Sequence, residues 1–555
     1  MNYLISKFTG LTLWKRYICT CVAVALLFIV LISVPGYFGI GLLSDDYLNI
    51  YDAVHSSLSE KFTGQLPFTN VFHIRPLYYL SLEKTVWFSK ILGLDYDNFI
   101  IYRIQNLVLL ILISFLSGAV VLGISRRLSL GIIGFAAVLL YPNNINNICW
   151  TAARADLLCT LFYLASGYLF LSYLKSSSAH KFIFCVISFV MTLLSKEIGI
   201  TLPFVLLLLA YFTEGRIGVY ITRHLLLLLF AILIFYLVIR FVLNPHQLEI
   251  LTLYQSSPFA NIPGVLARGI IALSIPMDFL TLNYALKNHN KIMLLYLFIL
   301  YGAVFYFIWT MFASNIYRHV GQIAVLSLVA LSPYMIVGYI RPQMILLPFC
   351  IIIIFTLHVY SHHRYFNVKL NKNVLKIFTA AVMLFWTYWT TGTVSDWSAS
   401  YEKARTNINN LISENIDPAR RNIVIGNPGR FKQTFMFDKL TGAYNFWKEK
   451  DFVIKDTIYD IIQSAALQEN SVGAKFQIKK LSSDEFEILA AAPKQFFYIE
   501  GIDIDKTNSV FKNNDIEVEF TEFNNINKPI RFKLKALNSN ADYFLADELG
   551  FVKIK

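Results

Sequence analysis

The chain has 555 residues, of which 56% are hydrophobic and only 15% charged, and its mean hydropathy is +0.55. Soluble domains carry nearer a quarter of charged residues, so a soluble globular protein is excluded and a polytopic membrane protein is expected. The formal net charge of +13 does not point to nucleic acid, because Lys and Arg recur in short clusters between apolar runs, where the positive-inside rule also places them.

Spans are predicted wherever about 20 apolar residues occur, and basic residues in short loops then orient them. Lys7, Lys15 and Arg16 put the N-terminus in the cytoplasm. The run that follows is too long for a signal-peptide core and reads as a retained first span, about Ile18 to Ile40. It delivers Asp45 and Asp46, in the string SDDY, to the outer face. His73 and Arg75 follow in the same outer loop, residues 41–98, ahead of the amphipathic, interfacial segment LYYLSLEKTVWFSKIL. Span two, about Phe99 to Ile124, returns to Arg126 and Arg127. Span three, about Leu128 to Tyr141, emerges at PNNINN, and span four, about Asp156 to Leu174, goes back to Lys175 and Lys181.

Two short spans follow, Phe182 to Leu194 rising to Lys196-Glu197 and a second descending to Glu214-Gly215-Arg216. Span seven, about Ile221 to Leu243, ends at NPHQ outside. The stretch Ile262 to Leu286 contains Pro263, Arg268, Pro276 and Asp278, costly in a lipid-facing helix, and is read as re-entrant or interfacial. Spans eight to eleven, about Lys291–Phe312, Val320–Tyr339, Met344–Tyr360 and Leu375–Thr393, then keep Arg318, Arg364, Lys369 and Lys372 in the cytoplasm. The expectation is a membrane all-α domain of about 11 spans over residues 1–395.

From about Ser395 the composition turns charged and Asn-rich. RNIVIG, KFQIKKL, EFEIL, QFFYIEG, IEVEF and IRFKLKAL read as strands, Asn427-Pro428-Gly429 as a turn and Tyr459 to Leu467 as a helix. Residues 396–555 are expected to form a smaller extracytoplasmic α/β or β-rich domain. The six cysteines lie in or beside apolar runs without metal-site spacing, so neither a disulfide framework nor a zinc site is implied.

With this topology the ionisable residues beside apolar runs collect on one membrane face: Asp45, Asp46, His73, Arg75, Arg154, Asp156, Lys196, Glu197 and Arg341. Such residues are functional candidates by default, with mutual pairing as the structural alternative. One of the two adjacent carboxylates can act as general base on an acceptor hydroxyl, while the other orients it or helps to hold a divalent cation. Arg75, Lys196 and Arg341 are the candidates to complement a phosphate, which leaves readily once its charge is stabilised. His73 is secondary to these.

The order of SDDY, HIRPL, WTAARAD (150–156) and LLSKE (193–197), followed by the Pro-containing stretch, resembles the polytopic glycosyltransferases of the GT-C superfamily. The likeness is to the protein O-mannosyltransferase-like families, in a bacterial form without TPR repeats, and covers roughly residues 15–395. It implies transfer of a sugar from a polyprenyl-phosphate-linked donor to a glycan, lipid or protein acceptor at the non-cytoplasmic face. It also implies an inverting displacement with a first-loop aspartate as base, Asp45 favoured over Asp46, in a bacterial inner membrane. A transporter or flippase of lipid-linked glycans, or a polymerase or ligase using them, shares the same multispan plan.

Overall fold

The structure, a computed structural model, describes residues 12–68, 74–243, 262–275, 282, 286, 291–313, 317–337, 340–362, 372–414, 416–417, 419–431, 434–437, 440–455, 458–466, 476–490, 495–499, 502–503, 510–522, 530–547 and 550–554. Among the candidates named above, His73 lies outside them, as do Asp278, Arg364 and Lys369. The chain divides into two compact units, one of Met1–Phe38, Ser56–Thr85 and Ile101–Val394, the other of Gly39–His55, Val86–Ile100 and Ser395–Lys555.

The first unit is helical. Its helices are α1 (Leu13–Ser33), α3 (Leu58–Thr63), the first part of α4 (Pro76–Ile91), much of α5 (Ile100–Ser125), α6 (Leu128–Leu140), α7 (Pro142–Cys149), α8 (Arg154–Ser176), α9 (Ala179–Ser195), α10 (Leu202–Leu243), α11 (Ile262–Ser274), α12 (Lys291–Ala313), α13 (Tyr317–Val337), α14 (Leu346–His362) and the first part of α15 (Lys372–Ser413). Among the described residues five helices are long and apolar enough to cross a membrane, or six if the bent pair α6 and α7 is one span. Large apolar side chains such as Val22, Leu26, Leu27 and Val30 of α1 stand exposed, as lipid-facing surface requires and a water-facing surface does not.

Small residues let these helices approach closely. A Cβ on Gly118 of α5 would collide with the Tyr17 hydroxyl of α1 and with the Gly131 carbonyl of α6, the kind of close backbone packing that membrane helices use in place of a hydrophobic drive. Helices α8 and α9 form an antiparallel hairpin closed at Ser177, which adopts φ 48°, and Ser166 Oγ donates to Cys185 O between them at 3.1 Å. Helix α10 is broken at Gly215 (φ 62°, ψ −147°), where the sequence separates two expected spans.

Three expectations are corrected. PNNINN is not an emerging loop but α7, wholly buried and bent 57° from α6. Tyr459 to Leu467 is not a helix but strand β3 (Ile458–Ala466). Asn427-Pro428-Gly429 is not a turn between strands but lies inside β1 (Arg421–Phe431), whose register against β3 shifts on both sides of it; Gly426, at φ 77°, supplies the positive dihedral that a bulge needs.

The second unit contains two sheets. Strands β1, β2 (Thr434–Phe435), β3, β6 (Gln495–Ile499), β7 (Ile502–Asp503), β11 (Ala541–Asp547) and β12 (Gly550–Lys553) form a mixed sheet in which β1 runs parallel to β3 and β11. Strands β4 (Phe476–Lys480), β5 (Glu485–Ala490), β8 (Val510–Lys512), β9 (Ile516–Glu522) and β10 (Ile530–Ala536) form an antiparallel sheet. Period-two alternation directs Phe532 and Leu534 of β10 and Val518 of β9 into one core with Ile423, Ile425 and Leu545 of the mixed sheet.

Helix α2 (Asp46–His55) belongs to this second unit and packs against α16 (Leu440–Glu449). Gly442 makes the approach feasible, since a Cβ there would meet Leu48 Cδ2 at 2.7 Å. Trp447 Nε1 donates to the Tyr47 hydroxyl at 2.9 Å, and Ser44 N donates to Met436 O at 2.8 Å.

Candidate functional site

Two ion-pair groups stand at one end of the first unit. Asp156 enters at the start of α8, while Lys196 and Glu197 turn from α9 into the short 3-10 segment Glu197–Thr201. Lys196 Nζ donates to both carboxylate oxygens of Asp156 at 2.7 Å, and both residues are buried. Arg75 Nη2 and Nε donate to Glu197 at 2.8 to 3.2 Å, a forked contact of the kind only arginine makes.

Arg240, near the end of α10, donates to Oε1 of the same carboxylate at 3.1 Å and to the Tyr236 hydroxyl at 2.8 Å. Burial opposes the Arg75 charge, but the Glu197 carboxylate more than offsets it, with Asp156 adding to the effect, so the guanidinium is held above its ordinary value and stays protonated. Three cations thus face two carboxylates in these contacts, leaving an excess of one positive charge.

Arg154 has a different surrounding. Its guanidinium donates to Asn106 Oδ1 at 2.8 Å, Thr85 Oγ1 at 2.6 Å and Ser81 O at 3.4 Å, and it lies over the Tyr102 ring. The side chain is fully buried and holds α8 against neutral groups of α5 (Tyr102, Asn106) and α4 (Pro76–Ile91). These contacts are those of a packing arginine, and Asp156, two residues on along the helix, pairs instead with Lys196. Arg341 stands half-buried before the 3-10 turn Pro342–Ile345, which packs on α7 and is tied to α13 through the Tyr334 hydroxyl on Met344 O at 2.6 Å.

Asp45 and Asp46 lie in the second unit. Asp45 is the half-buried residue before α2, and its carbonyl accepts from both the backbone and the side-chain amide of Asn49 at 3.0 and 2.8 Å. Asp46, buried, turns its carboxylate back to accept from Leu43 N at 3.1 Å. The adjacent acids therefore differ in burial at the helix start: the carboxylate of Asp46 serves the backbone, and Asp45 is the less buried residue. No group of three or more His, Cys, Asp or Glu among the described residues could hold a metal ion, so the divalent cation considered for Asp45 and Asp46 has no third ligand of these types there.

Residues that the sequence reading did not single out complete the polar interior of the first unit. Arg103 of α5 donates to the carbonyls of Ile148 and Cys149 and to Thr151 Oγ1, closing the C-terminal end of α7. Asn143 Nδ2 donates to Ala272 O and Ile275 O at 2.8 and 3.0 Å, joining α7 to α11. Asn143, Asn144 and Asn147 fall on one face of α7, and buried amide atoms on each have no protein partner among the described residues. Each such atom costs about 1–3 kcal/mol unless solvent or a ligand meets it. Arg103 and Arg240 were legible in principle as ionisable residues within apolar runs.

Compared with protein-family models and with curated proteins, the chain matches none.

Proposed function

We propose that the protein is an integral-membrane glycosyltransferase that moves a sugar from a polyprenyl-phosphate-linked donor to an acceptor hydroxyl at the non-cytoplasmic face. About eleven spans, a bacterial inner membrane and an extracytoplasmic C-terminal domain belong to this reading. The observation that carries it is the group of half-buried Arg75, Arg240 and Glu197 beside the buried pair Lys196 and Asp156, whose surplus positive charge suits a lipid phosphate. Ionisable groups beside membrane helices are costly and are functional candidates by default.

In this reaction the acceptor O–H loses its proton to the Asp45 carboxylate and the oxygen attacks the anomeric carbon. The bond from that carbon to the phosphate oxygen breaks, and the electron pair leaves on the lipid phosphate, whose charge the cations neutralise. One displacement inverts the anomeric configuration. Asp45 is preferred to Asp46 as the less buried of the two acids.

A transporter of lipid-linked glycans is the second reading, favoured by the 57° break between α6 and α7 and the buried asparagine face beside it, since discontinuous helices mark many transporter sites. The deciding experiment incubates the purified full-length protein with a polyprenyl-phosphate sugar and acceptor. Release of free polyprenyl phosphate, lost in Asp45→Asn, supports transfer. Movement of intact donor across a vesicle without release would replace it by transport.

A further inference from the structure

At the end of the first unit remote from these ion pairs, three helix ends meet around a cavity of about 310 Å³. Trp14 comes from the start of α1, Gly123 and Arg126 from the end of α5, and Tyr168, Ser172 and Lys175 from the end of α8. Asp156 and Lys175 stand nineteen residues apart on α8, about 29 Å at 1.5 Å per residue, which matches a hydrocarbon core of about 30 Å. The cavity and the ion pairs therefore lie about one membrane thickness apart along the helix. The positive-inside rule assigns the cavity end to the cytoplasm.

The chemistry of this cavity is that of a lipid site. Arg126 and Lys175 stand exposed at it; Arg127 follows Arg126 and Lys15 follows Trp14 in sequence. None of the segments 13–33, 120–127 and 168–175 contains an acidic residue. Lys175 Nζ donates to Gly123 O at 2.9 Å, so part of its charge serves the carbonyl end of α5. The Arg126 guanidinium has no ion-pair partner among the described residues, and the residue stands at φ 55° just past the helix end. Deeper in the bundle, Val120 and Leu171 line both this cavity and a narrow crevice of about 40 Å³ bounded only by apolar surface, between α8, α10 and α14. A charged mouth thus adjoins an apolar slot across Val120 and Leu171, with the amphipathic Trp14 at the cavity.

We propose that this cavity is a binding site for an anionic phospholipid of the inner leaflet, its headgroup phosphate on Arg126 and Lys175 and the start of one acyl chain in the apolar crevice. A soluble anion would use the cations and leave the slot without purpose; a neutral lipid would use the slot and leave Arg126 uncompensated. Basic pockets between membrane helices on the cytoplasmic side hold acidic headgroups for this reason.

The test uses purified full-length protein and no sugar substrate, so its outcome is independent of the transferase reading. Native mass spectrometry after exchange into micelles containing phosphatidylglycerol or phosphatidylcholine should show selective retention of phosphatidylglycerol. Arg126→Asn removes the charge while keeping a residue tolerant of the left-handed conformation, and should weaken that retention about fivefold, as expected for one basic group at a membrane surface. Lys175→Met should weaken it similarly and Lys175→Arg should preserve it, with phosphatidylcholine retention unchanged throughout. Equal retention of the two lipids, equal retention by wild type and Arg126→Asn, or displacement of the lipid by inorganic phosphate would each overturn the proposal.

Discussion

Lys196 Nζ lies 2.7 Å from both carboxylate oxygens of Asp156, joining residues 40 positions apart at the meeting of α8 and α9. Both side chains are about a tenth exposed, so neither charge is well hydrated without the other. Lys196→Met should lower stability by about 3–5 kcal/mol by stranding a buried carboxylate. Lys196→Met with Asp156→Leu should recover most of that loss. Thermal unfolding in detergent measures the cycle. If the pair is purely structural, the double variant will also retain transfer; if Lys196 serves the donor phosphate, the double variant will be folded and inactive.

Arg240 shares Glu197 with Arg75, so Arg240→Met leaves the carboxylate paired. The fold should survive with a loss of about 1.5–3 kcal/mol, the range for a hydrogen bond to a charged group. Donor affinity should fall, seen as a KM for the lipid-linked sugar raised by roughly tenfold or more with a smaller change in kcat. An unchanged KM would remove Arg240 from the phosphate site.

Asp45→Asn replaces one favoured helix-capping residue by another and should leave unfolding within about 1 kcal/mol of wild type. Transfer should drop by about 10²–10⁴, the usual share of a general base. Asp46→Ala removes the acceptor for Leu43 N and should instead cost about 0.5–2 kcal/mol of stability. Comparing activity per folded molecule for the two variants assigns the base; full activity in Asp45→Asn excludes that residue.

Gly118→Ala introduces a methyl group against the Tyr17 hydroxyl and the Gly131 carbonyl. Because one obstacle is backbone, relaxation requires α5 and α6 to separate, and a loss of about 1–3 kcal/mol is expected. Unfolding of the purified variant checks the magnitude.

The orientation of the C-terminal domain is testable without an activity assay. A reporter fused after Lys555 should signal from the non-cytoplasmic side, and a cytoplasmic signal would change the parity of the spans.

Much of the architecture was legible because local pattern and tertiary environment agree. Long apolar runs set the helices Ile100–Ser125 and Arg154–Ser176 within two residues of the expected ends, and alternation set IEVEF and IRFKLKAL as strands. The charged residues at 156, 196 and 197 were identifiable since ionisable groups beside apolar runs are costly. What sequence alone left open was partnership. Asn143 Nδ2 donates to carbonyls about 130 residues away, so PNNINN reads locally as a loop although tertiary bonds bury it as a helix. Ile458–Ala466 has helix-like apolar spacing, yet pairing with β1 and β6 makes it a strand. Arg240 acquires its relation to Glu197 only through the packing of α10. Periodicity and composition are properties of a segment, whereas a buried charge or amide is satisfied by whatever distant group the fold brings to it, and that was decided by the tertiary structure.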